Sequence, residues 1–269
     1  MKVRNPRTGE LDYEIAPLTA GQLAIEADRL REAQIAWSKR TVSERGALML
    51  ALGDAIARHA ADIADAITRD TGRQKISRIE VDGALRLIAR WAHSAAAIIE
   101  SAEVQDRPPS IPGIATSTRL VPYPLVGVIS PWNFPLTLAL IDAIPALMAG
   151  CAVIVKPSEV TPRFIRPLMA AVAEVPDIPL CVIEGDGATG AVLVPLVDYV
   201  AFTGSAATGR KVGAAAAEAF IPASLELGGK DPMIILASAD PVHAAAIALR
   251  ASVVNSGQAC QSIERVYVA

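Results

Sequence analysis

The sequence predicts an α/β fold in which helices flank a parallel sheet and a region of long helices comes first. After residue 125, short apolar runs alternate with helical segments, and these runs are VGVIS, AVIVK, LCVIE, YVAFT and ASLEL. Such alternation is typical of a parallel α/β sheet. Earlier in the chain, residues 43–71 place a row of large apolar side chains on one helical face. That row consists of Leu48, Leu52, Ile56, Ile63 and Ile67.

The remaining elements follow from helix stops, prolines and glycines. Thr71 and Gly72 supply a stop for the first long helix, and residues 81–100 predict a second one. Between residues 105 and 128, prolines and polar alternation predict an extended strand or linker instead of a core helix. Residues 136–155 are apolar enough to imitate a membrane span. Because Asp142, Pro145 and Gly150 interrupt them, they predict a helix, a turn and a buried strand.

Composition and charge indicate one large or two small domains that act on a metabolite. The 269 residues are 52% hydrophobic and 20% charged, which is enough to build a core. The formal net charge of −3 and the lack of a basic run argue against nucleic acid as the main ligand. The mean hydropathy of +0.37 indicates helix-rich packing, apolar surface that awaits a partner, or both.

Cysteine usage indicates a reducing compartment. The three cysteines lie far apart and predict neither a disulfide framework nor a zinc site. The opening MKVRNPRTGE lacks the apolar segment of a secretory signal, so we expect a cytoplasmic protein with no membrane partner and no metal. Cys151 and Cys181 fall in apolar runs and are interpreted as small buried hydrophobes. His59, His93 and His243 lie on predicted helices without ligand spacing and are assigned no function.

Two glycine-flanked residues predict a nucleophile and its base. Cys260 ends the string NSGQAC, and Glu226 opens the string ELGGK. A thiolate attacks carbonyl carbon, and a nearby carboxylate can activate the water that later releases the acyl group. Gly228 and Gly229 give the second string its turning freedom, and backbone amides near glycines can approach a developing oxyanion. The alternative for Glu226 is an ordinary carboxylate at the end of a strand.

Three further strings strengthen this interpretation. They are PWNFP at 131–135, VIVKPSEVTP at 153–162 and FTGSAATGRKVG at 202–213. In this order, together with ELGGK and NSGQAC, they resemble the aldehyde dehydrogenase superfamily, and the resemblance covers nearly the whole chain. It implies a Rossmann-like NAD-binding domain at 1–226 and an incomplete start of a catalytic domain at 227–269. Family members continue well past the nucleophile, so the resemblance implies a missing portion.

The resemblance assigns the cofactor site to residues that follow the apolar runs, where parallel sheets bind ligands. Lys156 and Glu159 are expected to hydrogen-bond ribose hydroxyls. Without the family strings, they would be interpreted as a solvated charged pair after a strand. Glu159 would repel a 2′-phosphate, which favours NAD while leaving NADP possible. The pyrophosphate is expected at Gly204 and Ser205, where a helix begins. Ser205 is also a plain N-cap candidate, and the two roles are compatible.

A literal GxGxxG lies at Gly185, Gly187 and Gly190, after the run LCVIE. A lone match is weak evidence for a dinucleotide site. In proteins that resemble this one, the loop is expected nearer the adenine end of the cofactor, so Gly185 is included among the cofactor-binding residues. Trp132 and Leu227 complete that predicted set, and packing is the alternative role for Trp132.

The chemistry implied by the resemblance is oxidation of an aldehyde to a carboxylic acid with NAD, through a thiohemiacetal and a thioester on Cys260. Asn133, with the backbone amide of Cys260, is the expected oxyanion donor. Without the family strings, Asn133 would be interpreted as a turn former. Glu226 is expected to deprotonate the hydrolytic water.

Two other functions stay open: a catalytically inactive NAD-binding fragment, and an interaction module that associates with a full-length relative. The family's hairpin at residues 105–128 serves oligomer contacts, so a homo-oligomer is expected for the full-length form. Without the missing portion, this chain is expected to expose sheet edges and apolar faces. We therefore expect marginal solubility or association. The substrate expected throughout is a small-molecule aldehyde.

Overall fold

The computed structural model describes residues 1–107, 111–114 and 116–269, and its centre is a parallel sheet with helices on both faces. The strands are β1 (Lys2–Arg4), β2 (Leu11–Glu14), β3 (Val104–Arg107), β4 (Thr116–Thr118), β5 (Leu125–Ser130), β6 (Ala152–Pro157), β7 (Leu180–Val182), β8 (Tyr199–Gly204), β9 (Ala223–Leu227), β10 (Asp231–Ile235) and β11 (Ile263–Val268). The helices are α1 (Ala20–Lys39), α2 (Val42–Arg58), α3 (Ala60–Thr71), α4 (Gln74–Ala102), α5 (Pro135–Leu140), α6 (Ala143–Ala149), α7 (Ile165–Ala173), α8 (Gly187–Leu193), α9 (Ala206–Glu218) and α10 (Pro241–Val253).

The five-stranded sheet confirms the predicted fold class. Its order is β7-β6-β5-β8-β9, and every neighbouring pair is parallel. All five predicted apolar runs form its strands. Every residue of β5 and β6 is buried, because helices cover both faces of a doubly wound sheet and its central strands need apolar residues throughout. One apolar cluster packs α2 to α7 against the sheet, and a second packs α1, α8 and α9 on the other side.

The long helical stretch predicted at residues 43–71 is two helices. His59 leaves helical geometry at φ −93° and ψ 7°, so it ends α2 and precedes α3. At this break, the side chains of Arg58 and His59 both contact Glu174, just after α7. The apolar face survives the break, since Ile56 and Ile63 on either side of it are fully buried. Gly72 ends α3 in the left-handed conformation, which confirms the predicted stop.

The next predicted segments are present with different lengths. The helix predicted at residues 81–100 is α4, which begins earlier, at Gln74. Residues 136–155 form two short helices and the buried strand β6, with left-handed Gly150 at φ 103° as the turn. A Cβ at Gly150 would also meet Pro122 at 3.3 Å, so the turn requires glycine. Among the described residues, no helix is long and apolar enough to cross a membrane.

The segments outside the main sheet form three small two-stranded sheets. β1 and β2 pair antiparallel, and so do β3 and β4, which lie in the first part of the predicted extended stretch at residues 105–128. Residues 108–110 and 115, part of that stretch, lie outside the described residues. β10 and β11 pair in parallel and are joined through α10. All of β9 and most of β11 are exposed, together with apolar residues of α10.

Candidate active site

The carboxyl ends of four parallel strands bring the predicted site residues together. Ser130, the last residue of β5, is paired with Pro157 at the end of β6. On the other side, β8 and β9 end in register, with Thr203 beside Glu226 and Gly204 beside Leu227. The strings that follow these ends therefore meet at one sheet edge, where ligands bind in parallel α/β folds.

A cleft of about 660 Å³ opens at this edge between the loops after β5, β6 and β8. Its walls include the predicted residues Trp132, Lys156, Glu159, Gly204 and Ser205, and also Gly187 and Gly190 of the GxGxxG string. Gly185 is not among its lining residues. The Gly185 carbonyl instead accepts a long hydrogen bond of 3.4 Å from Lys156 Nζ. Gly185 thus contacts Lys156 without lining the cleft itself.

Lys156 is a buried cation in the wall of the cleft. Only 5% of its side chain is exposed, and its Nζ lies 3.8 Å from Glu159 Oε2. Burial lowers the pKa of Lys156, while the charges of Glu159 and Asp186 oppose that effect. Glu159 is more open, with 39% of its side chain exposed. The pair offers hydrogen-bond donors and acceptors side by side, as binding of neighbouring hydroxyl groups requires.

The strand-to-helix turn at Gly204 and Ser205 presents backbone amides to the same cleft. Ser205 is the N-cap of α9, and its side chain accepts from the amide of Thr208 at 3.2 Å. This confirms the capping geometry, and the other amides of the first turn carry the positive end of the helix dipole. A Cβ at Gly209, in that turn, would lie 2.5 Å from Leu227 Cδ2. Glycine there lets α9 pack closely on the end of β9.

A second cavity of about 360 Å³ contains the predicted nucleophile, base and oxyanion donor. Cys260, Glu226 and Asn133 line it together, and Leu227 lies on its wall. Cys260 is exposed. Trp132 and Gly204 line both this pocket and the larger cleft, so the two cavities adjoin. Residues that are far apart in sequence are thereby gathered around one continuous space.

The loop that carries Cys260 has an unusual backbone. Asn255, Ser256 and Gly257 are consecutive left-handed residues, with φ of 54°, 59° and 71°. Asparagine and glycine tolerate this region, whereas serine enters it at a cost in energy. Asn255 is 5% exposed, although it belongs to a polar string. This turn redirects the chain after α10 so that Cys260 lies at the sheet edge.

Asn133 is held against the Cys260 loop by its side chain and its backbone. Its Nδ2 donates to the Gln258 carbonyl at 2.8 Å, and its own carbonyl accepts from Asn255 Nδ2 at 3.0 Å. An amide nitrogen has two hydrogens, so one donor is left after the bond to Gln258. Within the described part of the chain, buried Asn133 Oδ1 has no hydrogen-bond partner.

Two residues that the sequence analysis did not select also contact this region. Arg73 donates to the Asn133 carbonyl at 3.0 Å and to Asn255 Oδ1. Glu80 accepts from the amides of Leu136 and Thr137, each at 3.1 Å. A signal for Glu80 was available, since it shares the buried face of α4 with apolar residues one and two turns later.

Glu80, near the site, has a strongly raised pKa. Burial raises the pKa of Glu80 to about 7, while the Thr137 and Leu136 amides and the charge of Arg73 oppose that rise. Its Oε1 is buried and, among the described residues, has no hydrogen-bond partner. The positive charge of Arg73 is itself disfavoured by burial, which lowers the pKa of that residue.

The other cysteines differ from Cys260. Cys151 directly precedes β6 and is buried, and burial raises the pKa of its thiol to about 11. Cys181 lies in β7 and is half-buried, and burial raises its pKa to about 12. His59 lies between two helices beside Glu174, whereas His93 and His243 lie on α4 and α10. No group of three possible metal ligands occurs among the residues described.

The sequence also matches a family model over its entire length. The model describes the aldehyde dehydrogenase family, and it matches residues 1–269. The chain belongs to the aldehyde dehydrogenase family. It is 38% identical over 254 residues to a Mycolicibacterium smegmatis protein named "Putative succinate-semialdehyde dehydrogenase [NADP(+)]". That match covers 93% of this chain and 49% of the relative, so the chain spans about half the length of the curated relative.

Solved structures of aldehyde dehydrogenases have the same fold. A structure of the "Putative Aldehyde Dehydrogenase PutA" from Anabaena variabilis matches with a TM-score of 0.95 and 50% identity, covering 100% of this chain and 57% of that one. Betaine aldehyde dehydrogenase from Staphylococcus aureus, solved in complex with NAD+, matches with a TM-score of 0.87 and 30% identity. That match covers 100% of this chain and 54% of the other.

Proposed function

We propose that this aldehyde dehydrogenase chain carries the nucleophile and the cofactor site for oxidation of an aldehyde to a carboxylic acid with NAD or NADP. One observation carries the proposal: Cys260, Glu226 and Asn133 line a pocket that adjoins the cleft of Lys156 and Glu159. The bound cofactor supplies a hydride acceptor. The protein groups supply the nucleophile, the base and the oxyanion contact from one pocket, and Trp132 lines both that pocket and the cleft.

The cleft has the donors and acceptors that a dinucleotide requires. The buried ammonium of Lys156 and the carboxylate of Glu159 suit neighbouring ribose hydroxyls. The amides at the start of α9, capped by Ser205, suit a pyrophosphate. The volume of about 660 Å³ is within the range of small-molecule sites.

Glu159 favours NAD over NADP. A carboxylate beside the ribose hydroxyls repels a 2′-phosphate, which is the usual basis of NAD preference. The relative from Mycolicibacterium smegmatis has NADP(+) in its name, and Lys211 in the wall of the cleft offers a cation to such a phosphate. Removing the Glu159 charge should therefore narrow the difference in affinity between the two cofactors.

The reaction proceeds by covalent catalysis at Cys260. Its thiolate adds to the aldehyde carbon, and the resulting oxyanion accepts hydrogen bonds from the free Asn133 Nδ2 hydrogen and the Cys260 amide. Transfer of hydride from that carbon to a bound cofactor would re-form the carbonyl from the oxyanion and leave a thioester on Cys260. Glu226 then takes a proton from water, the hydroxide attacks the thioester carbon, and the acid leaves as the thiolate is restored.

The domain assignment follows the same division of roles. We assign residues 1–226 to cofactor binding and residues 227–269 to the beginning of a catalytic domain, since β10 and β11 form a separate sheet. The strands β3 and β4 pair with each other and are not part of the five-stranded sheet, so we assign them to contacts in a homo-oligomer. The substrate we propose is a small-molecule aldehyde.

Calorimetric titration of NAD tests the cofactor site independently of chemistry. Lys156→Met should weaken NAD binding about ten-fold or more, as expected for a lost charge-assisted hydrogen bond. Lys75→Met is the matched control, because Lys75 is exposed on α4 outside the cleft. Equal affinity of the Lys156 variant and the wild type would refute the assignment of the cleft.

The exposure of the pocket favours a second candidate function, a cofactor-binding unit without turnover. All of β9, which carries Glu226, is exposed, and so is Cys260. Water-exposed charges stabilise a transition state less well than those in a closed site. Saturable NAD binding without NADH formation from any aldehyde would favour this candidate. NADH formation that Cys260→Ala abolishes would favour the first.

A further inference from the structure

We propose that Arg73 is a positioning residue that couples the Asn133 turn to the Cys260 loop and so fixes the distance between oxyanion donor and nucleophile. Here the Asn133 turn is residues 131–135 and the Cys260 loop is residues 254–260. The inference rests on the proposed function, in that Asn133 and Cys260 are taken as the reacting groups. The coupling itself is a physical property that can be measured without turnover.

Arg73 is placed between the two segments by the junction of α3 and α4. It directly precedes α4, after the left-handed turn at Gly72. One guanidinium nitrogen donates to the Asn133 carbonyl at 3.0 Å, and the other donates to Asn255 Oδ1. A guanidinium is a planar fork with five donors, so a single side chain can hold two acceptors in a fixed relation.

The Asn133 turn is anchored independently on its far side. Glu80, two turns further along α4, accepts from the amides of Leu136 and Thr137 at the start of α5. Thr161 Oγ1 donates to the Trp132 carbonyl at 3.3 Å. The Asn133 turn and its flank are therefore held to α4 and to the segment between β6 and α7 by contacts that do not involve the Cys260 loop.

The Cys260 loop has fewer such anchors and more strain. Its left-handed residues Asn255 and Ser256 are costly conformations that persist only where the surroundings hold them. The contacts that hold Asn255 are with Asn133, Gln258 and Arg73. Asn133 Nδ2 adds the bond to the Gln258 carbonyl. Arg73 is thus the one contact that ties this loop to the α3–α4 junction among the hydrogen bonds described.

The charges around Arg73 are consistent with a positioning role. Glu80 faces it on the same helix, and Asp70 and Arg7 line the small cavity beside it, together with Gln258. Asp70 is already paired with Arg163. A half-buried arginine that donates to one carbonyl and one amide oxygen neutralises no carboxylate by direct contact, so its bonds serve geometry.

Hydrogen exchange of the wild type and of Arg73→Lys tests the coupling. Lysine keeps the charge but lacks the planar fork, so it cannot hold both acceptors in the same way. We expect exchange to rise about ten-fold in the Cys260 loop, as for loss of one charge-assisted hydrogen bond, and to rise less in the Asn133 turn, which Glu80 and Thr161 also hold. Arg78→Lys is the matched control, because Arg78 is exposed on the same helix and should leave both segments unchanged.

Thiol labelling in the same samples separates positioning from general loss of structure. In a folded chain, exposed Cys260 should react, while buried Cys151 and half-buried Cys181 stay protected because burial raises the pKa of both thiols. Arg73→Lys should change the Cys260 labelling rate, keep the other two cysteines protected and keep NAD affinity within about two-fold of wild type. Arg73→Ala should show the same effects more strongly.

Two results would overturn the proposal. The first is unchanged exchange in the Cys260 loop for Arg73→Lys, which would mean that the guanidinium does not hold this loop to the Asn133 turn. The second is exposure of all three thiols in Arg73→Lys, which would mean that Arg73 acts on overall stability. Failure of the proposed function is a different outcome, since the exchange and labelling results could hold in a chain that forms no NADH.

Discussion

Glu80→Gln should change the pH dependence of stability in a calculable way. Burial raises the pKa of Glu80 from 4.5 to about 7 in the folded protein. Between these values the folded chain binds more protons than the unfolded chain, so its stability falls as pH rises. The contribution of this group is fully present below pH 4.5 and is lost as pH rises through about 7. Glutamine does not titrate and has no such dependence.

The expected size follows from the two pKa values. Each pH unit between them corresponds to about 1.4 kcal/mol. From about pH 5 to about pH 8, the free energy of unfolding of wild type minus that of Glu80→Gln should fall by roughly 2 to 3 kcal/mol. Other titrating groups are common to both proteins and cancel in this difference.

Urea unfolding at a series of pH values, with m-values compared between variants, is the appropriate assay. Glu100→Gln is a matched control, since Glu100 is exposed near the end of the same helix. For that control, the difference from wild type should vary little with pH. A flat difference for Glu80→Gln would refute the raised pKa. A difference that rises with pH would mean that the Arg73 charge and the two amides outweigh burial.

Three further predictions concern packing, capping and thiol chemistry. Gly185→Ala should destabilise the fold by about 1 to 3 kcal/mol, because the added Cβ would lie 2.5 Å from Thr189 Oγ1. Gly187→Ala is the control, because nothing lies within 4 Å of a Cβ there, and it should leave stability unchanged or slightly higher. Thermal unfolding of both variants measures the difference. Ser205→Ala should cost about 1 kcal/mol in urea unfolding through loss of the N-cap of α9 and should also weaken NAD binding; unchanged stability would argue against the cap. Iodoacetamide should label Cys260 alone in the native chain, with peptide mass spectrometry as the readout, whereas labelling of a buried cysteine at the same rate would contradict the described burial.

The fold could be predicted because its signals are local. Each apolar run that the sequence marks as a strand is a strand of the sheet. The signal is strongest for β5 and β6, because central parallel strands buried on both faces need continuous apolar residues. The error at residues 43–71 has a physical cause. Periodicity reports which face is buried, and the face continues through His59 although the helix does not.

Part of the candidate site could not be predicted for a related reason. The strings around Asn133, Glu226 and Cys260 are distinctive, and the structure gathers these residues in one pocket. Arg73 lies in an ordinary polar stretch, and its role depends on two acceptors far away in sequence. The GxGxxG string was visible in the sequence, but only part of it lines the cleft. Gly187 and Gly190 line the cleft, whereas Gly185 accepts a hydrogen bond from Lys156 and is not a lining residue.

The most direct test of the proposed chemistry is to trap the acyl group on Cys260. The Glu226→Gln variant lacks the base for hydrolysis, so incubation with NAD and an aldehyde should leave a thioester. Intact-mass and peptide mass spectrometry should find one acyl group on the Cys260 peptide, with an equal amount of NADH formed. Saturable NAD binding with neither adduct nor NADH, across a panel of aldehydes, would contradict the assignment of Cys260 as a nucleophile that works within this chain.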